Sequence, residues 1–250
     1  MSDKKVTVFV GGAQKSGTRS VTEMFRKLPQ IAVQQSKEGH FFDRDEWFDE
    51  LRPNAVALQT YHDDFKVTAQ THFLCDVSPD YIFRNQAVAR IHCYNPQAKW
   101  ILLLRNPIDR AFSAWNMEVN RKTENLSFEA ALEMELSGQS DSRSHDRFAY
   151  IGRSRYHQQL EHLWRFFPKS QCHIWPAEWV WENPTQSIYQ SLSALGISGL
   201  QTTQMKHVHK GKYRNQATAV ANDILQQELA FEMNHLHQLL GWHQNPWMTE

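Results

Sequence analysis

The chain has 250 residues, and its 27 Lys plus Arg balance 27 Asp plus Glu, giving a formal net charge of zero. That length suits one globular domain over residues 1–250 with a sizeable core, and the balance excludes long-range attraction to nucleic acid. The three cysteines lack metal-ligand spacing and do not read as a disulfide framework, and no apolar run approaches the roughly twenty residues that cross a bilayer; a cytoplasmic protein without a membrane span is expected.

Val6–Val10 reads as a buried first strand and Thr18–Lys27 as the helix behind it, with Ser20 and Glu23 at capping-box spacing. Ile31–Val33 is a second short strand, and Lys37–Asp43, KEGHFFD, joins charge, glycine and two aromatics without periodicity. Arg44–Leu51 and Ala55–His62 read as helical, Phe73–Val77 as a strand stopping at Ser78-Pro79, and Asn85–Tyr94 as a helix closed by Asn95-Pro96. Lys99–Leu104, KWILLL, is a strand running through Arg105-Asn106-Pro107 into a helix over Ile108–Val119, where Pro107 suits the first turn. Phe128–Leu136 is a further helix, and the polar stretch within 137–147 reads as a mobile loop or as disorder. Ser154–Phe167, Pro184–Leu195 and Ala219–Leu240 are helices, with a late strand at His173–Trp175 and a basic loop, KHVHKGKYR, from Lys206. Strands alternating with helices predict an α/β, P-loop-like three-layer fold: a central, mainly parallel sheet flanked by helices. The nine tryptophans and fourteen phenylalanines fit either helix packing or a ligand groove, packing being the default.

Strand, glycine turn and helix start make Val6–Leu28 an anion cradle, because first-turn amides have no intrahelical acceptors. Lys15 and Arg19 add positive charge there, Thr18 and Ser20 add hydroxyls, and Gly17 supplies the turn. A Walker A loop would place Lys after Gly17, where this chain has Thr18, and a metal carboxylate would end a later strand, where it has Arg105. Arg105 and Ser113, two turns apart, suit a second phosphate; alternatively, Arg105 pairs with an acid and Ser113 is a packing residue. Two separated anion sites suit a donor phosphorylated at both its 5′ and 3′ positions.

These motifs, in this order and roughly ninety residues apart, resemble those of the sulfotransferases that use 3′-phosphoadenosine 5′-phosphosulfate (PAPS). Lys15, Gly17, Thr18, Arg19 and Ser20 match the family's 5′-phosphosulfate loop, and Arg105, Pro107, Arg110 and Ser113 match its 3′-phosphate motif. KEGHFFD is similar to a segment of the heparan-type and related bacterial carbohydrate branch. There the resemblance implies Glu38 as the base for the acceptor hydroxyl, with Lys37 and His40 organising the site. SPDYIF resembles the Ser-Pro-x-Tyr segment beside the acceptor, implicating Asp80, which a turn-capping role fits equally, and Tyr81. Arg155-Tyr156 ahead of Phe167-Pro168 matches a Tyr-containing segment, and Lys210, Gly211, Lys212 and Tyr213 match a basic loop over the donor's 3′ end. The heparan branch often carries Glu-Lys before its Ser-Pro, whereas this chain has Asp76-Val77.

The resemblance thus implies a bacterial-type cytoplasmic enzyme. It would move a sulfuryl group from PAPS to a hydroxyl or amine of a carbohydrate or small metabolite, releasing 3′-phosphoadenosine 5′-phosphate (PAP). Lys15 would stabilise the leaving phosphate, and the scheme requires no metal. The alternatives are a P-loop kinase or nucleotide hydrolase, and a non-catalytic nucleotide-binding protein of the same fold. Acceptor identity and oligomeric state are not legible here.

Overall fold

The computed structural model describes residues 5–138, 146–194, 196–198 and 217–248. These fall into two compact units, one built from 1–104 and 159–209, the other from 105–158 and 210–250. Most of the expected mobile loop, 139–145, and the basic loop carrying Lys210, Gly211, Lys212 and Tyr213 lie outside the described residues.

The first unit opens with β1 (Val8–Gly12) and α1 (Thr18–Phe25), followed by β2 (Ile31–Val33) and a two-stranded hairpin, β3 (Phe48–Asp49) with β4 (Arg52–Pro53). Then come α2 (Ala55–Asp63), β5 (Phe73–Val77), α3 (Asn85–Tyr94) and β6 (Lys99–Leu104). β2, β5 and β6 and helix α3 have the limits expected from the sequence, and β1 begins two residues later than expected. The second unit follows with α4 (Pro107–Asn120) and α5 (Phe128–Ser137). Helix α6 (Tyr156–Trp164) leads back into the first, which ends with β7 (Cys172–Pro176), α7 (Ala177–Glu182) and α8 (Pro184–Ala194). The chain closes in the second unit with α9 (Ala219–Glu228), α10 (Ala230–Asn234) and α11 (Leu236–Leu239).

The sheet has five strands, all parallel, in the order β2-β5-β1-β6-β7. From β1 the chain first builds one edge and then crosses to β6 and β7, so the order reverses beside β1. Ligands of open parallel sheets bind at the carboxyl ends of the strands at such a reversal. Both faces are covered, as the near-continuous apolar strands require. Val8 and Val10 face a core with Val21, Met24 and Phe25 of α1, Val180 of α7 and Ile188 of α8. The opposite face is aromatic: Phe9 lies 5.9 Å from Trp100 and 5.7 Å from Phe42, ring to ring, and Trp100 lies 5.5 Å from Phe167. Much of the aromatic content is therefore packing. In the second unit Ala111 and Trp115 of α4, Phe128 and Leu132 of α5, Tyr150 and Leu225 form a separate apolar cluster.

Three expectations are corrected. Arg44–Leu51 is not an α-helix but a single 3-10 turn leading into the β3–β4 hairpin, with Glu50 at φ 53. The buried Arg90 guanidinium, about forty residues away in sequence, pins this conformation: it donates to the carbonyls of Phe42 (3.0 Å) and Glu50 (3.2 Å) and to Asp45 Oδ1 (2.7 Å). The terminal helix is interrupted at Leu229 and His235; between the breaks the buried Glu232 carboxylate meets His157 Nδ1. Helix α7, six residues directly after β7, was not expected. The three cysteines are free thiols. Among the described residues, no helix is long and apolar enough to cross a membrane.

Replacing Arg90 by Ala strands two carbonyls and the chain turn they hold. It should lower the unfolding free energy by about 3 kcal/mol, read from urea-induced unfolding, with an unchanged denaturant slope.

Candidate functional site

The loop after β1 turns at Lys15 and Gly17, both in the left-handed region at φ 72 and 87. For Lys15 this conformation costs energy that only its surroundings can offset, and such positions concentrate at functional sites. Gly17 has a second constraint: a Cβ there would lie 2.7 Å from the indole nitrogen of Trp181. Gly12, ending β1, comes equally close to the SPDYIF segment, since a Cβ would lie 2.3 Å from Ile82 Cγ2. Helix α1 starts on Gly17 as N-cap, without a side-chain cap and without an acidic residue in its first turn. No carboxylate of its own first turn offsets its positive end. Ser20 sits inside the helix rather than at its cap, and Glu23 pairs with Arg26 at 3.2 Å; the expected capping box is not formed.

One groove on this unit is lined by Thr18, Arg19, Glu23, Arg26, Lys37 and Glu38. It brings the start of α1 together with the first two residues of KEGHFFD, which are distant in sequence. Gln34 fastens the approach to that segment: its amide donates to the Val77 carbonyl at 2.9 Å and accepts from the Val77 amide at 3.0 Å.

Within KEGHFFD, the His40 ring lies between two carboxylates, 3.2 Å from Glu38 Oε2 and 2.7 Å from Asp43 Oδ2. Hydrogen bonds that the ring donates to Asp43 first and Glu38 second push its pKa up to about 10, so the ring is an imidazolium at neutral pH. As a cation it donates to Glu38 and orients it, and it cannot itself act as a base. Asp80 approaches the same cluster, where one donor atom each from His40, Asp43 and Asp80 lies within 4.8 Å of the others, a spacing that could hold a cation. The imidazolium already supplies positive charge there. His40 also takes a left-handed conformation, at φ 48.

What holds the segment is a buried hydroxyl array around Asp76, which has no exposed surface. Ser78 Oγ donates to Asp76 Oδ1 at 2.6 Å, and the hydroxyls of Tyr61 and Tyr81 both donate to Oδ2 at 2.9 Å. The same oxygens accept from the loop backbone. Ser78 Oγ takes the His40 amide at 3.0 Å, and the Tyr81 hydroxyl takes the Phe41 and Phe42 amides at 3.0 and 3.3 Å. Burial raises the Asp76 pKa to about 6 despite the three donors. Tyr81, expected beside the acceptor, is fully buried and supports the loop from behind.

In the second unit, the Asn106 side chain caps α4, accepting from the amides of Ile108 (3.0 Å) and Asp109 (3.2 Å), with Pro107 in the first turn. Arg105 is mostly buried and lies 3.6 Å from Asp109, and the Tyr156 hydroxyl donates to its carbonyl at 3.0 Å. Arg110 is fully buried, donating to Ser154 Oγ (2.6 Å) and the Tyr150 carbonyl (2.5 Å), and Ser113 is buried on the same helix. Arg110 thus ties α4 to the 150–154 segment, and Ser154 Oγ in turn donates to the Pro107 carbonyl at 2.8 Å. Asp43, Asp76 and Ser78 were not assigned roles from the sequence. A lone carboxylate in the apolar run Phe73–Val77 is the signal that could have found Asp76, since an acid survives there only when fully hydrogen-bonded.

The family model "Sulfotransferase domain" matches residues 5–238. Human "Heparan sulfate glucosamine 3-O-sulfotransferase 6" is 27% identical over 196 residues, covering 76% of this chain and 52% of that protein. Human "Heparan sulfate glucosamine 3-O-sulfotransferase 3B1" is 26% identical over 207 residues, covering 80% and 48%. The chain therefore spans about half the length of the curated relatives it matches. A solved sulfotransferase from Alicyclobacillus acidocaldarius superposes with a TM-score of 0.78 at 23% identity, covering 98% of this chain and 99% of that one, and shares the fold.

The raised Asp76 value has a signed consequence. Between 3.8 and about 6 the folded protein holds a proton that the unfolded chain has released, so stability from this group is full below 3.8 and lost as pH rises through about 6. The unfolding free energy of the wild type should fall relative to Asp76→Asn from about pH 4 to about pH 7 in urea titrations; a constant difference would contradict the assignment.

Proposed function

The chain belongs to the sulfotransferase domain family, and from that premise we propose that it moves a sulfuryl group from PAPS to a carbohydrate hydroxyl, with Glu38 as the base. The observation that carries this reading is the groove uniting Glu38 and Lys37 with Thr18 and Arg19 at the start of α1. A base and an anion-receptive helix end on one groove are what in-line transfer between an acceptor oxygen and a phosphosulfate requires. The carbohydrate assignment is supported by the heparan sulfate glucosamine relatives together with KEGHFFD.

The loop suits a phosphosulfate: the N-cap of α1 is a glycine with no side-chain cap, and no acidic residue stands in the first turn to repel an anion. The donor, when bound, supplies the sulfuryl group and leaves as PAP. Lys15 offsets negative charge growing on the leaving phosphate oxygen, with Thr18 and the loop amides assisting, while Arg19 and Ser20 hold the 5′ end. Arg105 and Ser113 hold the 3′-phosphate. Glu38 takes the proton from the acceptor hydroxyl, and the His40 imidazolium, itself held by Asp43, keeps the carboxylate aimed. Lys37 and Asp80 contact the acceptor.

Two variants separate binding from chemistry. Glu38→Gln should lower turnover with heparan sulfate as acceptor by about 100-fold or more while binding PAP normally by calorimetry. Full turnover in this variant would remove Glu38 from the base role. Gly17→Ala, strained by its φ of 87 and crowded by Trp181, should instead weaken PAP binding by at least about tenfold. Unchanged PAP affinity would place the donor elsewhere.

A further inference from the structure

Glu38 is exposed, and a base must be held to within a fraction of an ångström to act. The rigidity has to come from the backbone behind it. We propose that Asp76 is a positioning residue for the proposed reaction, acting through Ser78 and Tyr81 on the amides of residues 40–42 and so fixing where Glu38 and His40 point. The inference rests on the reading of Glu38 as base.

Two relays run from one buried carboxylate to three consecutive loop amides. In one, the His40 amide donates to Ser78 Oγ, whose hydroxyl donates to Asp76 Oδ1. In the other, the Phe41 and Phe42 amides donate to the Tyr81 oxygen, whose hydroxyl donates to Asp76 Oδ2. Because the carboxylate only accepts, it orders both hydroxyls as donors toward itself and leaves their lone pairs to the loop. An uncharged partner at this position would let either hydroxyl turn away. The left-handed His40 needs such a clamp: its conformation is costly and would relax if the amides were released.

A built-in control separates positioning from mere support. Tyr61 and Tyr81 each give one hydroxyl to the same Asp76 oxygen at 2.9 Å, and both are buried. Only Tyr81 also receives the loop amides. The Phe41 ring stacks on the Tyr61 ring at 4.2 Å, a contact that Tyr61→Phe keeps. Each Tyr→Phe variant therefore removes one 2.9 Å donor from Asp76, but only Tyr81→Phe also releases the loop amides and the contact of Tyr81 with the Ser78 hydroxyl.

The test compares Tyr81→Phe, Tyr61→Phe, Asp76→Asn and Glu38→Gln, with PAPS as donor and heparan sulfate as acceptor. It reads kcat, the donor KM, thermal midpoint and deuterium exchange at residues 40–42. Tyr81→Phe should lower kcat by about tenfold or more, with donor KM within about twofold and faster exchange at Phe41 and Phe42. Tyr61→Phe should show a smaller thermal loss, a much smaller change in kcat and native-like exchange at those amides. Asp76→Asn should resemble Tyr81→Phe with exchange at His40 also accelerated; should it fail to fold, the tyrosine pair still decides. Equal kcat and equal exchange in the two tyrosine variants would overturn the positioning role. Wild-type turnover in Glu38→Gln would instead overturn the base assignment, and the exchange results would still judge the clamp on their own.

Discussion

Asp76 stands in β5, paired in register with Phe9 of β1, on the sheet face where Phe9, Phe42, Tyr81 and Trp100 pack together. An unpartnered carboxylate in such surroundings would cost several kcal/mol. Three hydroxyl donors make it tenable, and each of those residues is fixed by something else: Ser78 and Tyr81 by the turn leaving β5, Tyr61 by α2. The acid therefore ties the sheet to the helix before β5 and the turn after it. It passes that order on to the KEGHFFD backbone, and the local geometry of the first unit's site depends on this one group.

The chemistry of the segment follows from its charges being arranged in series. Asp43 holds the His40 ring, the ring holds Glu38, and the ring stays cationic because carboxylates lie at both of its nitrogens. With the folded value near 10, its stabilising contribution is complete below 6.5 and disappears only as pH climbs through the alkaline range. Lys15 and His40 both occupy left-handed backbone conformations. No N-cap side chain and no first-turn acid offsets the positive end of helix α1.

The elements most legible in the sequence are those punctuated by their own neighbours. β5 is closed by Ser78-Pro79 and α3 by Asn95-Pro96, and β6 is an unbroken apolar run before Asn106-Pro107, so local turn chemistry set their limits. The hairpin at 48–53 was hidden because its conformation is imposed by Arg90, which no local pattern reveals. Motif spacing pointed to Lys15, Gly17 and Arg105 as candidates, and the resemblance of KEGHFFD pointed to Glu38 and His40. It could not separate residues that face the groove from those that brace it: Tyr81 looks like a ligand contact in sequence and is buried in fact, while Asp76 looks like a departure from a pattern and proves to be the brace.

The brace grips peptide nitrogens, not side chains. A Cβ at Gly39 would lie 3.4 Å from Asp76 Oδ1, so that position belongs to the brace, but the hold on residues 40–42 is indifferent to what the exposed Lys37 carries outward. Substitutions that retune acceptor preference along the groove can accumulate there without disturbing the base. The architecture thus separates evolvability from precision: a frozen scaffold beneath, a rewritable surface above.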